Sequence, residues 1–155
     1  MNFDGKTKLA SMALLLLFTL SVPALVQAAT FGHPGKAVDV DRTIQITALD
    51  IRFDNIRLQV RAGETVRFIV TNKGQLTHEF IIGDAREQAE HEQEMQKMAG
   101  MDKPDEPNGI TLKPGQTKTL IWTFGLEGDV EFACHVPGHY AAGMVGKIFV
   151  NQNVR

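Results

Sequence analysis

The most informative segment of the sequence is Cys134-His135-Val136-Pro137-Gly138-His139-Tyr140-Ala141-Ala142-Gly143-Met144. It offers a thiol at Cys134, an imidazole at His139 and a thioether at Met144, with four residues between each donor and the next. An apolar strand pattern at residues 145–150 follows it directly. The Pro-Gly pair at its centre favours a turn, so the sequence predicts a short loop that holds three donor side chains before a last strand.

The donor types indicate a copper centre. Soft sulfur ligands together with imidazole select copper, and two imidazoles and a thiolate with a weak axial thioether form a blue electron-transfer site. A second imidazole is available at His78, at the start of an earlier apolar strand pattern. The sequence therefore predicts one type 1 copper ion with four ligands: His78, Cys134, His139 and Met144. Structural zinc is the competing chemistry, but zinc prefers closed Cys, His and carboxylate tetrahedra, and a methionine ligand argues against it.

The loop and the phrases around it resemble the cupredoxin family of blue copper proteins. The similar phrases flank strand patterns between residues 43 and 151: Gly63-Glu64-Thr65-Val66, Thr71-Asn72 and Lys113-Pro114-Gly115-Gln116. The loop spacing and its Ala-Ala-Gly-Met ending are most similar to rusticyanin-like and copper-tolerance periplasmic cupredoxins. This chain departs from the family in a long insert after Asp84 and at His135, where many relatives carry Ser, Thr or Gln. The resemblance implies that His139 lies at the solvent edge, with a redox partner protein docking near it.

Short alternating patterns of apolar and polar residues dominate the rest of the chain. They fall at residues 43–49, 56–60, 66–70, 80–82, 117–124, 129–134 and 146–150. Gly, Pro and Asn separate them, as is typical of β-sandwiches and barrels. With the resemblance, the sequence predicts an all-β, Greek-key cupredoxin sandwich or barrel of seven to eight strands, with one inserted Met-rich helix.

The insert, residues 84–108, contains no Leu, Ile, Val or Phe. Its first part predicts a helix that begins after an N-cap at Asp84 and ends at Gly100. Four soft donors share one face of this helix or lie just beyond it: His91, Met95, Met98 and Met101. Two interpretations are open. The methionines either pack the helix on the sandwich, since Met fills irregular gaps, or form a second, labile Cu(I) site with the imidazole.

The first residues predict export. Lys6 and Lys8 precede an apolar stretch at residues 9–20 and a small-residue site at 26–28, the pattern of a secretory signal peptide. An uncleaved membrane anchor is the alternative, but the apolar stretch is too short to span a bilayer. We therefore expect a signal peptide at 1–28, an N-terminal tail at 29–42 and a cupredoxin domain at 43–155. The mature protein is expected in the periplasm, free of the membrane.

Charge, cysteine count and length limit the partners and the architecture that we expect. The formal net charge of −2 gives no reason to expect nucleic acid or an anionic surface as a partner. The one cysteine cannot form an internal disulfide, so it is a liability or a ligand. The length fits one domain with one core, and we expect a monomer.

Two functions fit these features. One is copper tolerance or handling, in which the protein cycles copper between Cu(I) and Cu(II) and can transfer electrons. The other is a dedicated diffusible electron carrier between periplasmic redox proteins. An enzyme is not expected. The position of His135 beside Cys134 resembles the arrangement by which copper oxidases and nitrite reductases connect a type 1 copper to a catalytic copper, but those enzymes need further histidines and several domains. This chain has five histidines and no His-x-His pair.

Overall fold

The computed structural model describes Met1 and residues 31–98, 101, 103–125 and 128–152. The predicted signal peptide, apart from Met1, lies outside the described residues, as does the predicted helix end at Gly100. Within the described ranges, no helix has the length and apolar character needed to cross a membrane.

Ten strands and one α-helix make up the described part of the chain. In chain order they are β1 Gly32–Pro34, β2 Arg42–Leu49, β3 Arg52–Phe53, β4 Arg57–Arg61, β5 Thr65–Asn72, β6 His78–Gly83, α1 Ala85–Lys97, β7 Gly109–Leu112, β8 Thr117–Phe124, β9 Gly128–Ala133 and β10 Val145–Asn151. A single 3-10 turn, Ala37–Asp39, lies between β1 and β2.

The strands form two five-stranded sheets, ordered β1-β8-β5-β2-β3 and β4-β10-β9-β6-β7. Most neighbours are antiparallel, but β2 pairs with β5 and β4 pairs with β10 in parallel. The two sheets pack face to face over one core as a β-sandwich, which confirms the predicted all-β class. The number of strands exceeds the predicted seven to eight. The seven alternating patterns do not include β1, β3 and β7, which at three, two and four residues are too short to show alternation.

Residues 32–34, in the segment described above as an N-terminal tail, pair with β8. The ring of Phe31 stacks on Trp122 with 5.3 Å between centroids. The short strand β1 is thus held at the sheet edge by backbone hydrogen bonds and by one aromatic pair.

Alternating burial along the strands builds the core between the sheets. In β8, for example, Leu120, Trp122 and Phe124 are buried while the residues between them are half-buried. The centre of the core is a cluster of rings, in which Phe80 lies 5.3 Å from Phe68 and 5.0 Å from Phe132. Burial of such apolar surface is the main stabilising contribution to a domain without disulfides.

Strand β6 is the exception to alternation, since all six of its residues are buried. The reason is α1, which packs on β6 and β9 from outside the sandwich. Asp84 caps the helix by accepting a hydrogen bond from the backbone N–H of Glu87 at 2.9 Å, as predicted. The buried face of the helix is mostly polar, with Gln88 and His91 beside Met95.

Candidate metal centre

Three elements bring the predicted donors to one end of the sandwich. His78 is the first residue of β6, Cys134 directly follows β9, and His139 lies in the loop between β9 and β10. Because β6 and β9 are paired neighbours, His78 and Cys134 lie side by side. The donor atoms of His78, Cys134 and His139 all lie within 4.8 Å of one another.

The sulfur of Cys134 is the centre of this group. Its Sγ atom lies 3.3 Å from Nδ1 of His139 and 3.9 Å from Nδ1 of His78. The side chains of Cys134 and His78 are fully buried, and His139 is 7% exposed. Met144 is also fully buried, and its carbonyl accepts the backbone N–H of Cys134 at 3.1 Å. The structure therefore places all four predicted residues at this end.

Two glycines give the loop its shape. Gly138 and Gly143 have φ angles of 89° and 92°, in the left-handed region that glycine adopts without strain. Around them the backbone N–H of His139 donates to the carbonyl of Val136 at 2.9 Å, and that of Met144 donates to the carbonyl of His139 at 3.0 Å. These turns hold the imidazole and the thioether in place without a helix or strand.

Burial controls the protonation of the donors. It raises the pKa of the Cys134 thiol to about 12, although the backbone N–H groups of Glu79 and Val136 act in the opposite direction. Burial also lowers the pKa of both ligand imidazoles, which keeps them neutral and able to bind metal. A metal ion must therefore displace the thiol proton.

The donor set suits copper. A thiol and two imidazole nitrogens face one another in a buried cluster, and within the described ranges no carboxylate joins them. Zinc takes a fourth Cys, His or carboxylate ligand in closed sites, whereas a buried thioether beside this trio suits the axial position of a type 1 copper. The backbone N–H of Glu79, 3.3 Å from Sγ, is a hydrogen-bond donor of the kind that tunes a metal-bound sulfur.

His135 connects the metal loop to α1. Its Nδ1 lies 2.6 Å from a carboxylate oxygen of Glu92, and its Nε2 lies 2.6 Å from the side-chain oxygen of Gln88. The ring also stacks on Tyr140 at 4.8 Å. Burial lowers the pKa of His135, while Glu92 opposes that shift. The side chain thus belongs to a buried hydrogen-bonded network between helix and loop.

His91 lies in the same polar region, and its partners are charged groups. Its Nδ1 is 3.3 Å from the Glu106 carboxylate and 3.3 Å from the Lys103 ammonium. Its Nε2 is 3.6 Å from the Glu79 carboxylate. Lys103 also contacts Glu94 at 3.0 Å. The ammonium of Lys103 therefore places a positive charge among the carboxylates around the His91 imidazole.

The methionines of the predicted Cu(I) site differ in exposure. Met95 is buried and Met98 half-buried, while Met101 is 58% exposed. The site of His91, Met95, Met98 and Met101 stays a prediction, and the burial of Met95 agrees with the packing interpretation.

Replacing Met95, Met98 and Met101 by Leu tests that interpretation. We expect the same number of bound copper ions before and after the change. Leu for Met conserves volume, so each change should cost less than about 1.5 kcal/mol. Titration of Cu(I) against a competing chelator measures the count, and the visible spectrum is the control for the Cys134 site. Loss of one Cu(I) equivalent would establish the second site instead.

Comparison with known proteins agrees with this geometry. A family model described as copper binding proteins, plastocyanin/azurin family, matches residues 38–151. The copper-resistant cuproprotein CopI of Pseudomonas aeruginosa is 40% identical, over 83% of this chain and 85% of the relative. The CopI of Vibrio cholerae is 45% identical, over 76% and 70%. The crystal structure of reduced auracyanin from Roseiflexus castenholzii has a TM-score of 0.62 and 26% identity, over 72% of this chain and 98% of that one.

A β-sandwich with a thiol, two imidazoles and a thioether at one end is a cupredoxin, a blue copper protein. The chain belongs to the plastocyanin/azurin family of copper-binding proteins, and copper is its cofactor.

Proposed function

We propose that this protein is an exported type 1 copper protein that acts in copper resistance and cycles copper between Cu(I) and Cu(II). The observation that carries the proposal is the buried Cys134 sulfur, 3.3 Å and 3.9 Å from two imidazole nitrogens. The proposed ligands are His78, Cys134, His139 and Met144. The relatives called copper-resistant cuproprotein CopI support the role in resistance.

The scaffold suits one-electron chemistry. Copper bound at this site supplies a Cu(I)/Cu(II) couple. The chain holds the donors on β6 and on a loop fixed by backbone hydrogen bonds, so little rearrangement is needed between oxidation states. Burial keeps water away from the sulfur, and the N–H of Glu79 withdraws charge from it. This arrangement supports a proposed role in copper binding and electron transfer.

Electrons would enter and leave beside His139. Around this imidazole the loop exposes small apolar residues, Pro137, Ala141 and Ala142. We propose that a redox partner protein docks there, because transient electron-transfer contacts are small and need no large patch. These exposed apolar residues also fit the second candidate function, that of a dedicated diffusible electron carrier.

Growth under copper stress separates the two functions. Cells without the gene should grow more poorly than the parent when copper is added, and the intact gene should restore growth. A gene carrying Cys134→Ser should fail to restore it, and one carrying Gln96→Ala, a change at an exposed position of α1 outside the metal loop, should succeed. Equal growth with and without the gene would leave the electron carrier as the better proposal.

Replacement of Met144 by Leu tests the axial position. We expect the blue centre to remain and its reduction potential to rise, because a weak axial thioether tunes the potential more than it holds the metal. Leu conserves the volume of this fully buried side chain. Absorption spectroscopy and redox titration measure both effects, and loss of all copper would show that the proposed geometry is wrong.

A further inference from the structure

We infer that Asp50 is a positioning residue for the ligand His78: its carboxylate attracts the N–H of the second ring nitrogen of His78 and so directs the other nitrogen at the metal. Among the residues that the structure describes, Nε2 of His78 has no hydrogen-bond partner although it is fully buried. One oxygen of Asp50 lies 3.6 Å from it, while Nδ1 faces the Cys134 sulfur. This inference rests on the proposed copper site.

The same oxygen of Asp50 is fixed from two sides. The backbone N–H groups of Gln75 and Leu76 donate to it at 2.7 Å and 3.2 Å. Gly74 makes this approach feasible, because a Cβ atom at residue 74 would collide with the Asp50 side chain. A carboxylate held by backbone groups is pre-organised to accept the N–H of the imidazole.

The turn that carries Asp50 is strained. Ile51, the next residue, has a φ angle of 59°, a conformation that is a genuine outlier for a β-branched residue. Such strain persists only where the surrounding structure determines the conformation, and it concentrates at functional sites. Here the strained residue directly follows the carboxylate that faces a buried ligand nitrogen.

The chemistry of the pair follows from the two ring nitrogens. With a proton on Nε2 directed at Asp50, Nδ1 keeps its lone pair for the metal. A carboxylate partner also makes a ligand imidazole more basic and holds its ring orientation. A more basic imidazole favours Cu(II) over Cu(I), so Asp50 lowers the reduction potential.

The copper-free protein gives the first test. Long-range ¹H–¹⁵N spectra of the wild-type protein should show His78 protonated at Nε2 and unprotonated at Nδ1. Asp50→Ala should increase the share of the form protonated at Nδ1. A wild-type His78 protonated at Nδ1 would overturn the inference without any reference to copper.

The copper-loaded protein gives the second test, with Asp50→Asn. Asparagine keeps an oxygen for the N–H groups of Gln75 and Leu76 and replaces the other oxygen by a neutral NH2 group. The charge is thereby removed while the turn should stay folded. The matched control is Asp54→Asn, which changes another exposed carboxylate that accepts a backbone N–H, from Thr47 at 2.9 Å.

We expect Asp50→Asn to weaken Cu(II) binding about tenfold and to leave Cu(I) binding nearly unchanged. A tenfold change of this kind raises a one-electron potential by about 59 mV, and Asp54→Asn should not move it. Equal reduction potentials in Asp50→Asn and Asp54→Asn would overturn the inference about Asp50 and leave the proposed copper site standing. A blue centre that still forms after His78→Gly would overturn the proposed ligand set as well, so the two failures are distinguishable.

Discussion

Cys134→Ser should abolish the intense visible absorption of the copper-loaded protein, with at least a tenfold loss of the band. The chain has one cysteine, so no other residue can give charge transfer from a thiolate to Cu(II). The fold of the copper-free protein should change little, because a serine hydroxyl is smaller than the thiol and can accept the N–H of Glu79 in its place. Absorption spectra after copper addition measure the loss, and circular dichroism of the copper-free protein checks the fold.

Ala142→Ser is the matched control for this result. It adds a hydroxyl to the same loop at an exposed position and leaves the four proposed ligands intact. It should keep the full visible band. A Cys134→Ser protein that stays strongly coloured would disprove the assignment of a type 1 centre.

Gln88→Ala should give the largest loss of stability among single changes in α1, about 2–3 kcal/mol. The side-chain amide of Gln88 donates to the carbonyls of Ile81 and Glu131, both at 3.1 Å, and its oxygen lies 2.6 Å from His135. Truncation removes all three of these contacts, and the loss of hydrogen bonds by buried polar groups is costly. Denaturant unfolding of the copper-free protein measures the free energy of unfolding.

Gln96→Ala is the control on the same helix. Gln96 is exposed and its side-chain amide donates to Glu92 at 3.3 Å, so its truncation should change stability by less than about 0.5 kcal/mol. If Gln88→Ala is equally mild, the hydrogen bonds of Gln88 do not attach the helix to the sandwich.

The four proposed ligands were predictable because their chemistry and spacing are local. Three of them lie in one loop, Cys134, His139 and Met144, and the donor types alone select copper. His78 required one further step, since it is distant in sequence, but its position at the start of an apolar strand indicated it. The N-cap of α1 at Asp84 was local as well, and the structure confirms it.

The surroundings of the site were not predictable, because they depend on how distant elements pack. Gln88 and Glu92 look like ordinary solvent-facing residues of a charged helix, and only the docking of α1 on β6 and β9 places them against His135. Asp50 looks like an ordinary turn residue, since its distance from His78 depends on the contact between two loops. Neither arrangement produces a periodic pattern in the sequence.

Burial of Cys134 has a consequence for the protein before copper arrives. Oxidants and other thiols attack the thiolate, and attack also requires access to the sulfur. A fully buried thiol with a pKa of about 12 offers neither. The copper-free protein is thereby protected from sulfenic acid formation and from cross-linking to a second copy, and its sulfur stays reduced and ready for the metal.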